Sequence, residues 1–290
     1  MTKIAFTKVV ASGNDFIVID KNNLSSFVHR PSSIVKSICD RKYGAGADGA
    51  LLLEKSKKAD IRMRIFNADG SEADMCGNGA RSAALYYSQH RAVSPQPSAL
   101  KIETKAGIIE ARVLKDTVKI KLTDPKEYQK KIPLVIHGRK LKVNFINTGV
   151  PHTIVFVQGI EQIDVTNIGR EIRYHKYFSP AGTNVNFVEI VNKTAIKART
   201  YERGVEDETL ACGTGVAASA IVFALQSPAG QRAVVGPPIA QAIVSRQQKI
   251  NVLTQGGEIL RVYFKKDGNE ISDVWLEGRA KIVYKGEFYV

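Results

Sequence analysis

The feature that most constrains the fold of this chain is a short segment that occurs twice. "ADMCGNGARSAA" (73–84) and "LACGTGVAASAI" (210–221) each place a cysteine before a Gly-x-Gly turn and an apolar run. In both halves a strand-like segment ends nine or ten residues before the cysteine, at Asn67 and at Glu202. A chance repeat would not extend to this spacing, so the sequence indicates an internal duplication.

Apolar periodicity predicts the same element order in both halves. Residues 60–67 and 196–204 alternate as half-exposed strands do, and a helix with Pro31 near its start precedes the first of them. After each cysteine we expect a helix and then strands joined by Gly-rich turns, with a Pro-marked loop at 94–98. The sequence therefore predicts an α+β fold of two pseudo-symmetric domains, each a curved, mostly antiparallel β-sheet or barrel wrapped around a central helix.

The predicted domain boundary lies near 123–133, where two prolines and a cluster of charges interrupt the apolar pattern. The N-terminal domain is predicted to comprise residues 1–125, with the last strand, 279–290, paired back onto it. The C-terminal domain is predicted to comprise residues 126–278. Each domain then carries one of the two repeated cysteines, and a chain of 290 residues can supply a core for both.

The formal net charge of +14 is the feature that would favour a nucleic-acid-binding protein. The basic residues are dispersed, however. The runs at 55–58, 126–131 and 138–142 are interpreted as solvated strand ends and turns, because they lack the interleaved aromatic residues of a stacking groove. A basic binding protein would also leave the repeated cysteine segment unexplained. We expect no nucleic-acid partner, and an anionic small molecule fits the charge equally well.

Other sequence features restrict location and metal content. No apolar run approaches the length of a membrane span, and residues 1–16 lack the apolar core of a signal peptide, so we expect a cytoplasmic protein without a membrane partner. The three cysteines form no Cys-x-x-Cys pair and no zinc-like cluster, so no metal site is expected. Cys39 shares a predicted helix face with Ile34 and Ile38 and is predicted to be a buried structural residue.

The repeated segment places each thiol at the N-terminus of a predicted helix. Backbone N–H groups and the helix dipole at such a position lower the pKa of a thiol and bind a carboxylate. Two structural cysteines in closely packed helices are the alternative, but packing does not account for Cys-Gly-x-Gly in both copies. Two opposed acid–base groups can invert a stereocentre, since one removes the α-proton and the other returns a proton to the opposite face. The repeat therefore predicts a two-base reaction.

Five segments, taken in order, resemble the diaminopimelate epimerase family: "SGNDFIVID", "GAGADGALLLE", "RIFNADGSEADMCGNGAR", "GTNVNFVEI" and "YERGVEDETLACGTG". The resemblance extends over nearly the whole chain. It implies cofactor-independent epimerisation of LL-diaminopimelate to meso-diaminopimelate, a step in the formation of lysine and peptidoglycan precursors. The sequence does not determine the oligomeric state, and a homodimer is one candidate. A pyridoxal-phosphate racemase is the alternative that uses a cofactor, and no sequence feature supports it.

The resemblance also implies the residues of the site. Cys76 and Cys212 would be the two catalytic acid–base residues, with His152 and Glu202 completing the catalytic set. For His152 a purely structural role is equally compatible with the sequence. The implied substrate contacts have side chains or backbone groups that suit carboxylates and ammonium groups. They are Asn14, Asn67, Gly77, Asn78, Asn184, Glu202, Arg203, Gly213 and Thr214.

The chain departs from the family pattern at two positions. Val150 stands where many relatives carry an asparagine before Pro-His, so one polar substrate contact is either missing or supplied by Asn147 or Thr148. Gly49 occupies a position that is glutamine in some members. Proline racemase and hydroxyproline epimerase also use two cysteines as acid–base groups, but their substrates have no distal ammonium and carboxylate to recognise. "NVNF" together with "YERG" therefore favours the longer substrate. The phenazine-biosynthesis isomerase family lacks the cysteine pair.

Overall fold

The computed structural model describes residues 3–21, 31–90, 98–226 and 247–289. The chain divides into two compact units. Unit 1 consists of residues 1–121 and 277–290, and unit 2 consists of residues 122–276. These division points lie within a few residues of the predicted domain boundaries, and the assignment of the two segments as domains stays a prediction. Most of the predicted loop at 94–98, namely residues 94–97, lies outside the described residues.

Within its described residues, unit 1 contains nine strands and two helices. Its strands are β1 (Lys3–Ala11), β2 (Asn14–Asp20), β3 (Gly49–Glu54), β4 (Ile61–Asn67), β5 (Glu72–Ala73), β6 (Ser98–Thr104), β7 (Gly107–Leu114), β8 (Thr117–Lys121) and β18 (Lys281–Tyr289). Its helices are α1 (Pro31–Cys39) and α2 (Gly77–His90). The last strand, β18, pairs antiparallel with the first, β1.

Unit 2 repeats this composition. Its strands are β9 (Lys126–Ile136), β10 (Arg139–Asn147), β11 (Pro151–Phe156), β12 (Asn184–Asn192), β13 (Ala195–Glu202), β14 (Asp207–Thr209), β15 (Gln247–Thr254), β16 (Ile259–Asp267) and the larger part of β17 (Glu270–Arg279). Its helices are α3 (Val165–Arg173) and α4 (Gly213–Gln226). One-turn 3₁₀ helices at Ile160–Gln162 and Lys176–Phe178 flank α3.

The two units share one pattern of strand pairing. In unit 1, β1–β2, β3–β4 and β6–β7 are antiparallel, whereas β2–β3 and β4–β6 are parallel. In unit 2 the same senses join β10–β11, β12–β13 and β15–β16, then β11–β12 and β13–β15. Each parallel step is crossed by a helix, as parallel neighbours require. The predicted α+β fold is confirmed, and the duplication extends to the topology.

A helix lies at the centre of each unit. Nine of the fourteen residues of α2 and ten of the fourteen of α4 are buried, so both helices are covered on all sides. Helix α2 packs against β1, β2, β6, β7 and β8, and α4 packs against β10, β11, β12, β13 and β15. Their small residues allow this close approach, and the curved sheet of each unit wraps around its own helix.

The other two helices cover the outer faces of the same strands. In unit 1, α1 contributes Val35, Ile38 and Cys39 to a core cluster with alternate residues of β2 and β3. In unit 2, α3 contributes Val165 and Ile172 to the corresponding cluster. The central strands are therefore buried on both faces. Cys39 is 2% exposed, which confirms that it is a buried residue.

Each unit also places a bidentate ion pair on the hairpin that precedes its repeated cysteine. Arg64 of β4 donates two hydrogen bonds of 2.8 Å to Glu72 of β5. Arg199 of β13 donates two of 2.7 Å to Glu208 of β14. A planar guanidinium matched to a carboxylate fixes the two short strands against their longer neighbours. This pair was not singled out in the sequence, although it recurs in both copies.

The structure of the charged run at 126–131 differs from the strand end or turn that the sequence predicts. It forms the first half of β9, an eleven-residue strand. Glu127 and Lys131 have positive φ, and the pairing of β9 with β10 shifts register along this stretch. The irregular backbone removes the alternating pattern by which a strand is recognised. Among the helices of the described ranges, none has the length and apolar character that a bilayer crossing requires.

Candidate active site

Cys76 and Cys212 occupy the same local position, directly before the first residue of a central helix. The carbonyl of each accepts the first helical hydrogen bond, from Ala80 N and from Val216 N respectively, both at 2.8 Å. Cys76 Sγ also accepts a hydrogen bond from Gly79 N at 3.4 Å, as the side chain of an N-cap residue does. The predicted placement of both thiols at helix N-termini is thus observed.

The amides that follow each cysteine are available to a ligand by helix geometry. The first N–H groups of a helix have no carbonyl four residues earlier to bind. In α2 these groups belong to Gly77 and Asn78, and in α4 to Gly213 and Thr214. All four were predicted as donors to a substrate carboxylate, and the positive end of the helix dipole would add to their attraction for an anion.

In unit 1 the side chains around Cys76 form a connected polar chain. Asn78 donates through Nδ2 to Asn14 Oδ1, and Asn14 donates in turn to Asp48 Oδ2 at 3.3 Å. Arg81, whose side chain is fully buried, donates to Asn78 Oδ1 at 2.6 Å and to Ser12 Oγ at 2.7 Å. Two of the predicted substrate contacts, Asn14 and Asn78, are therefore held in direct contact with each other.

A charged group lies behind Asn14 in unit 1. Asp15 forms ion pairs with Lys8 at 2.8 Å and with Arg41 at 3.0 Å. Burial alone would raise the pKa of Asp15, but the hydrogen bonds from Lys8 and Arg41 outweigh burial and lower this pKa to about 2. Asp15 is therefore a stable anion near neutral pH, and it anchors the turn that carries Asn14.

In unit 2 a histidine and a threonine lead to Cys212. His152 Nε2 lies 3.0 Å from Thr214 Oγ1, and Thr214 Oγ1 lies 3.5 Å from Cys212 Sγ. Burial lowers the pKa of His152 to about 3, and the charge of Arg203 acts in the same direction. The imidazole is therefore neutral at pH 7. Three of the predicted site residues meet here.

Glu202 also contacts Cys212. Its carboxylate accepts a hydrogen bond from Thr209 Oγ1 at 3.0 Å and a side-chain hydrogen bond from Cys212. Burial raises the pKa of Glu202, and these two hydrogen bonds oppose the rise only in part. A carboxylate with a raised pKa that touches a thiol is suited to exchange a proton with it.

The remaining predicted contacts lie at the ends of the central strands. Asn184 is largely buried and accepts from Arg203 N at 2.8 Å while donating to Pro151 O at 3.0 Å, so its amide holds the backbone that carries Arg203. Asn67 is exposed at the end of β4 and donates to Ser71 Oγ at 3.0 Å. These hydrogen bonds occupy only some of the donors and acceptors of each side-chain amide. The substrate-binding role of both residues stays a prediction.

The two departures from the family pattern have structural counterparts. A Cβ atom at Gly49 would lie 2.4 Å from the main-chain oxygen of Phe66, so this backbone has no room for a glutamine there. Near Val150, Thr148 Oγ1 donates to Thr214 O at 3.1 Å, and Asn147 Oδ1 accepts from Gly149 N. Thr148 is thus the one of the two that is bonded to the Cys212 helix.

Sequence reasoning did not single out Arg81 or Asn186. A charged residue on a predicted helix is normally solvated, so nothing in the sequence indicated that Arg81 is fully buried. Asn186 has the clearer signal, because it follows Asn184 at the two-residue spacing of a strand and must share its face. It is completely buried beneath α4.

Comparisons with known proteins agree with this geometry. The family model of diaminopimelate epimerase matches residues 6–127 and 144–283. A diaminopimelate epimerase of Aquifex aeolicus (strain VF5) is 40% identical to this chain, over 97% of the chain and 96% of the relative. The chain belongs to the diaminopimelate epimerase family. The resemblance inferred from the five motifs is confirmed, and so is the prediction that the chain is an isomerase.

Solved structures extend the fold of the diaminopimelate epimerase family to remote relatives. A Bacillus anthracis phenazine biosynthesis protein of the PhzF family matches with a TM-score of 0.73 at 18% identity, covering all of both chains. A probable proline racemase from Agrobacterium radiobacter K84 matches with a TM-score of 0.67 at 16% identity, covering 99% of this chain and 92% of that one. At these identities the similarity establishes the fold alone.

Proposed function

We propose that this chain converts LL-diaminopimelate to meso-diaminopimelate without a cofactor, with Cys76 and Cys212 as the two acid–base groups. One observation carries most of the proposal: both copies of a duplicated unit place a cysteine at the N-cap of the helix around which the unit is built. Membership of the diaminopimelate epimerase family supplies the substrate.

The reaction needs one cysteine as thiolate and the other as thiol. The thiolate takes the α-proton as the C–H bond breaks, and the electron pair moves into the adjacent carboxylate. The other thiol then gives its proton to the opposite face of the α-carbon, and a new C–H bond forms. The two sulfur atoms finish with their protonation states exchanged, which is the starting state for the reverse reaction. No electrons leave the substrate, so the step needs no oxidant.

Stabilisation of the carbanion-like transition state is the main energetic demand, because the α-proton of an amino acid is only weakly acidic. The N-terminal amides of α2 and α4 are fixed donors of the kind that bind a carboxylate as its charge increases. We propose that Gly77, Asn78, Gly213 and Thr214 supply these donors. Asn14, Asn67, Asn184 and Arg203 would then bind the other polar groups of the substrate.

Glu202 is proposed as the proton partner of Cys212. The carboxylate already contacts the thiol, and burial raises its pKa toward the range in which it can receive a proton. His152 is proposed to act on the same cysteine through Thr214, at the 3.0 Å and 3.5 Å distances described above. Cys212 thus contacts both a proton acceptor, the Glu202 carboxylate, and the hydroxyl of Thr214.

The test is α-proton exchange in deuterated water, followed by ¹H NMR with LL- and meso-diaminopimelate. The wild-type chain should epimerise both compounds and incorporate deuterium at the α-carbon. Cys76→Ala and Cys212→Ala should each reduce epimerisation by at least about 10³-fold. Any residual exchange should occur with one diastereomer in the first variant and with the other in the second, since each retains a single base. Undiminished epimerisation by either variant would refute the assignment.

Three controls complete this experiment. Cys39→Ala removes a buried thiol whose pKa burial raises to about 11, and it should retain full activity. Proline and 4-hydroxyproline test the alternative substrates, and neither should be epimerised at a comparable rate. The absorbance spectrum of the purified protein should lack the visible band of a pyridoxal-phosphate aldimine.

The cytoplasmic location expected from the sequence stays a prediction, and the homodimer stays one candidate for the assembly. Light scattering of the purified chain measures the assembly, and fractionation of cells that express it measures the location. A mass of about twice 31.8 kDa would support the dimer. A mass equal to that of one chain would contradict it.

A further inference from the structure

Helix α4 rests on a buried polar cluster, of which the proposed reaction so far uses only His152. A Cβ atom at Gly215 would lie 2.3 Å from Asn186 Oδ1 and 3.3 Å from His152 Cε1, so the helix lies directly on these two side chains. Asn186 Oδ1 accepts a hydrogen bond from Thr200 Oγ1 at 2.9 Å. His152 and Asn186 are completely buried, and Thr200 is 4% exposed.

Packing alone does not call for polar side chains at these positions. Strand register relates the two units residue by residue, since β3 and β12 each pair with one parallel and one antiparallel neighbour. We call the three positions of each unit its floor. The corresponding floor residues of units 1 and 2 are Phe16 and His152, Leu51 and Asn186, and Ile65 and Thr200. The same backbone is thus built with an entirely apolar floor in unit 1.

The hydrogen bonds of Asn186 determine which way its amide points. The main-chain oxygen of Thr153 lies 3.2 Å from Asn186 Nδ2 and can only accept, so the nitrogen must face it. The hydroxyl of Thr200 donates to Oδ1 on the other side. The second hydrogen of Nδ2 is then directed at His152 Nδ1, 3.0 Å away. Nδ1 of His152 is therefore an acceptor.

This contact fixes the tautomer of His152. A neutral imidazole carries one hydrogen, and because Nδ1 accepts, that hydrogen is on Nε2. Nε2 then donates to Thr214 Oγ1 at 3.0 Å. A hydroxyl that accepts from the histidine keeps its own hydrogen for a different acceptor, and Cys212 Sγ is within 3.5 Å.

We infer that Asn186 is a positioning residue: it holds His152 as the Nε2–H tautomer, so that the hydroxyl of Thr214 donates to the sulfur of Cys212. This inference rests on the proposed function, in which Cys212 is an acid–base group. The opposite tautomer would accept from Thr214 and turn its hydroxyl hydrogen away from the sulfur. The thiolate form of Cys212 would then lose a hydrogen bond from a neutral donor.

The first test concerns the wild-type chain and needs no activity. Uniform ¹⁵N labelling of the five histidines, followed by long-range ¹H–¹⁵N correlation at pH 7, reports which ring nitrogen carries the hydrogen. The His152 signals are identified by their absence in His152→Gln. We expect Nε2 to be of the protonated type and Nδ1 of the unprotonated type. Protonation at Nδ1 would overturn the inference.

The second test measures how readily Cys212 ionises. Each variant is alkylated with iodoacetamide between pH 5 and 10, and the Cys212 peptide is quantified by mass spectrometry. Thr214→Val should move the midpoint of the rate profile upward by about one pH unit, the value of one hydrogen bond to a charged sulfur. Thr214→Ser keeps the hydroxyl and should restore the wild-type midpoint.

A double-mutant cycle tests whether Asn186 acts through the hydroxyl of Thr214. Asn186→Leu introduces the residue that unit 1 carries at this position and should shift the midpoint in the same direction as Thr214→Val, by a smaller amount. In the Thr214→Val background it should add nothing, because the hydroxyl through which it acts is absent. Equal shifts in both backgrounds would show that Asn186 acts by another route and would refute the inference.

Ser219→Ala is the matched control. Ser219 is fully buried in the same helix, and its hydroxyl donates to Gly215 O at 2.8 Å rather than to the histidine or the threonine. Its removal should leave the midpoint unchanged. Failure of the wild-type chain to epimerise diaminopimelate would refute the proposed function, whereas the tautomer and the alkylation profiles would still decide this inference.

Discussion

The two units have the same order and pairing of strands, but they carry different side chains around their cysteines. Beneath α2 of unit 1 the floor is phenylalanine, leucine and isoleucine, whereas beneath α4 of unit 2 it is histidine, asparagine and threonine. The polar chain beside Cys76 instead begins on its own helix, with Asn78 and the buried Arg81, and continues to Asn14 and Ser12. Duplication therefore preserved the placement of each thiol and let its chemical surroundings diverge.

This difference bears on how a two-base reaction is organised. An acid–base group must be stable both with and without its proton, and the two cysteines proposed for this role have different surroundings. Cys212 lies between the carboxylate of Glu202 and the hydroxyl of Thr214. Cys76 accepts from the amide of Gly79 and is more exposed than Cys212. The two cysteines are thus chemically inequivalent although their backbones match.

The largest effect expected from this comparison is a loss of stability between pH 6.5 and 4 that is caused by His152 of unit 2. His152 binds a proton near pH 6.5 in the unfolded chain, but in the folded chain its pKa is lowered to about 3 by burial. Between these values the unfolded state binds more protons, so stability is fully present above pH 6.5 and decreases as the pH falls. Urea unfolding should show a loss of about 3 kcal/mol between pH 6.5 and 4 from this residue.

His152→Phe places the residue of unit 1 at this position and should remove that part of the slope, whatever it does to stability at pH 7. Phe16→Leu in unit 1 is the control and should leave the slope as in the wild type. The contribution of Glu202 is common to all three proteins and cancels in the comparison. A slope that survives in His152→Phe would mean that other groups cause it.

A smaller effect is expected from adding one methyl group to each central helix. In Gly215→Ala the new Cβ would lie 2.3 Å from Asn186 Oδ1, an atom held by Thr200. In Gly79→Ala it would lie 3.0 Å from Ile65 Cδ1 and 3.2 Å from Leu51 Cδ2, which are the mobile ends of apolar side chains. Alanine gains about 1 kcal/mol of helix propensity in both variants.

We therefore expect Gly215→Ala to lower the free energy of unfolding by about 2 kcal/mol and Gly79→Ala to change it by less than about 1 kcal/mol. Thermal and urea unfolding measure both. Equal losses would indicate that the two floors are equally rigid and would contradict this expectation.

The smallest effect concerns the ion pair that both units share. Arg199 and Glu208 have side chains 13% and 19% exposed, and Arg199 is also held by the carbonyls of Ile160 and Ile163. Arg64 and Glu72 are more exposed, at 26% and 30%. Solvent screening and lost side-chain entropy reduce the value of the more exposed pair.

Double-mutant cycles with Arg→Met and Glu→Gln should give a coupling of about 1 kcal/mol for Arg199 with Glu208 and about 0.5 kcal/mol for Arg64 with Glu72. The reverse order would show that burial does not govern these pairs. Raising the salt concentration should weaken the pair in unit 1 more than the pair in unit 2.

Much of the order of strands and helices could be predicted because it occurs twice in the chain. The duplication is visible in the sequence itself, in the two Cys-Gly-x-Gly segments and in the strand ends at Asn67 and Glu202. The helices that follow the cysteines and the three strands after 98 also lie where apolar spacing predicts them. These features are determined by residues close together in the sequence, so they can be predicted from it.

The strands β1 and β10 were not predicted. The first contains the buried Lys8 and a break in register at Lys8/Val9, and the second begins with exposed basic residues, so neither shows a regular alternation. The floor of unit 2 was missed for a different reason. Its residues come from β11, β12 and β13, and a hydrogen-bond network that converges from three strands has no signature along the chain.

The strand β18 has a consequence for synthesis of the chain. It covers the edge of β1, yet it follows the whole of unit 2 in the sequence. A ribosome therefore completes residues 122–276 before it delivers the partner of β1. During that interval the edge of β1 is an open template for association with other nascent chains. Chaperone protection during translation is expected to matter most for residues 1–121.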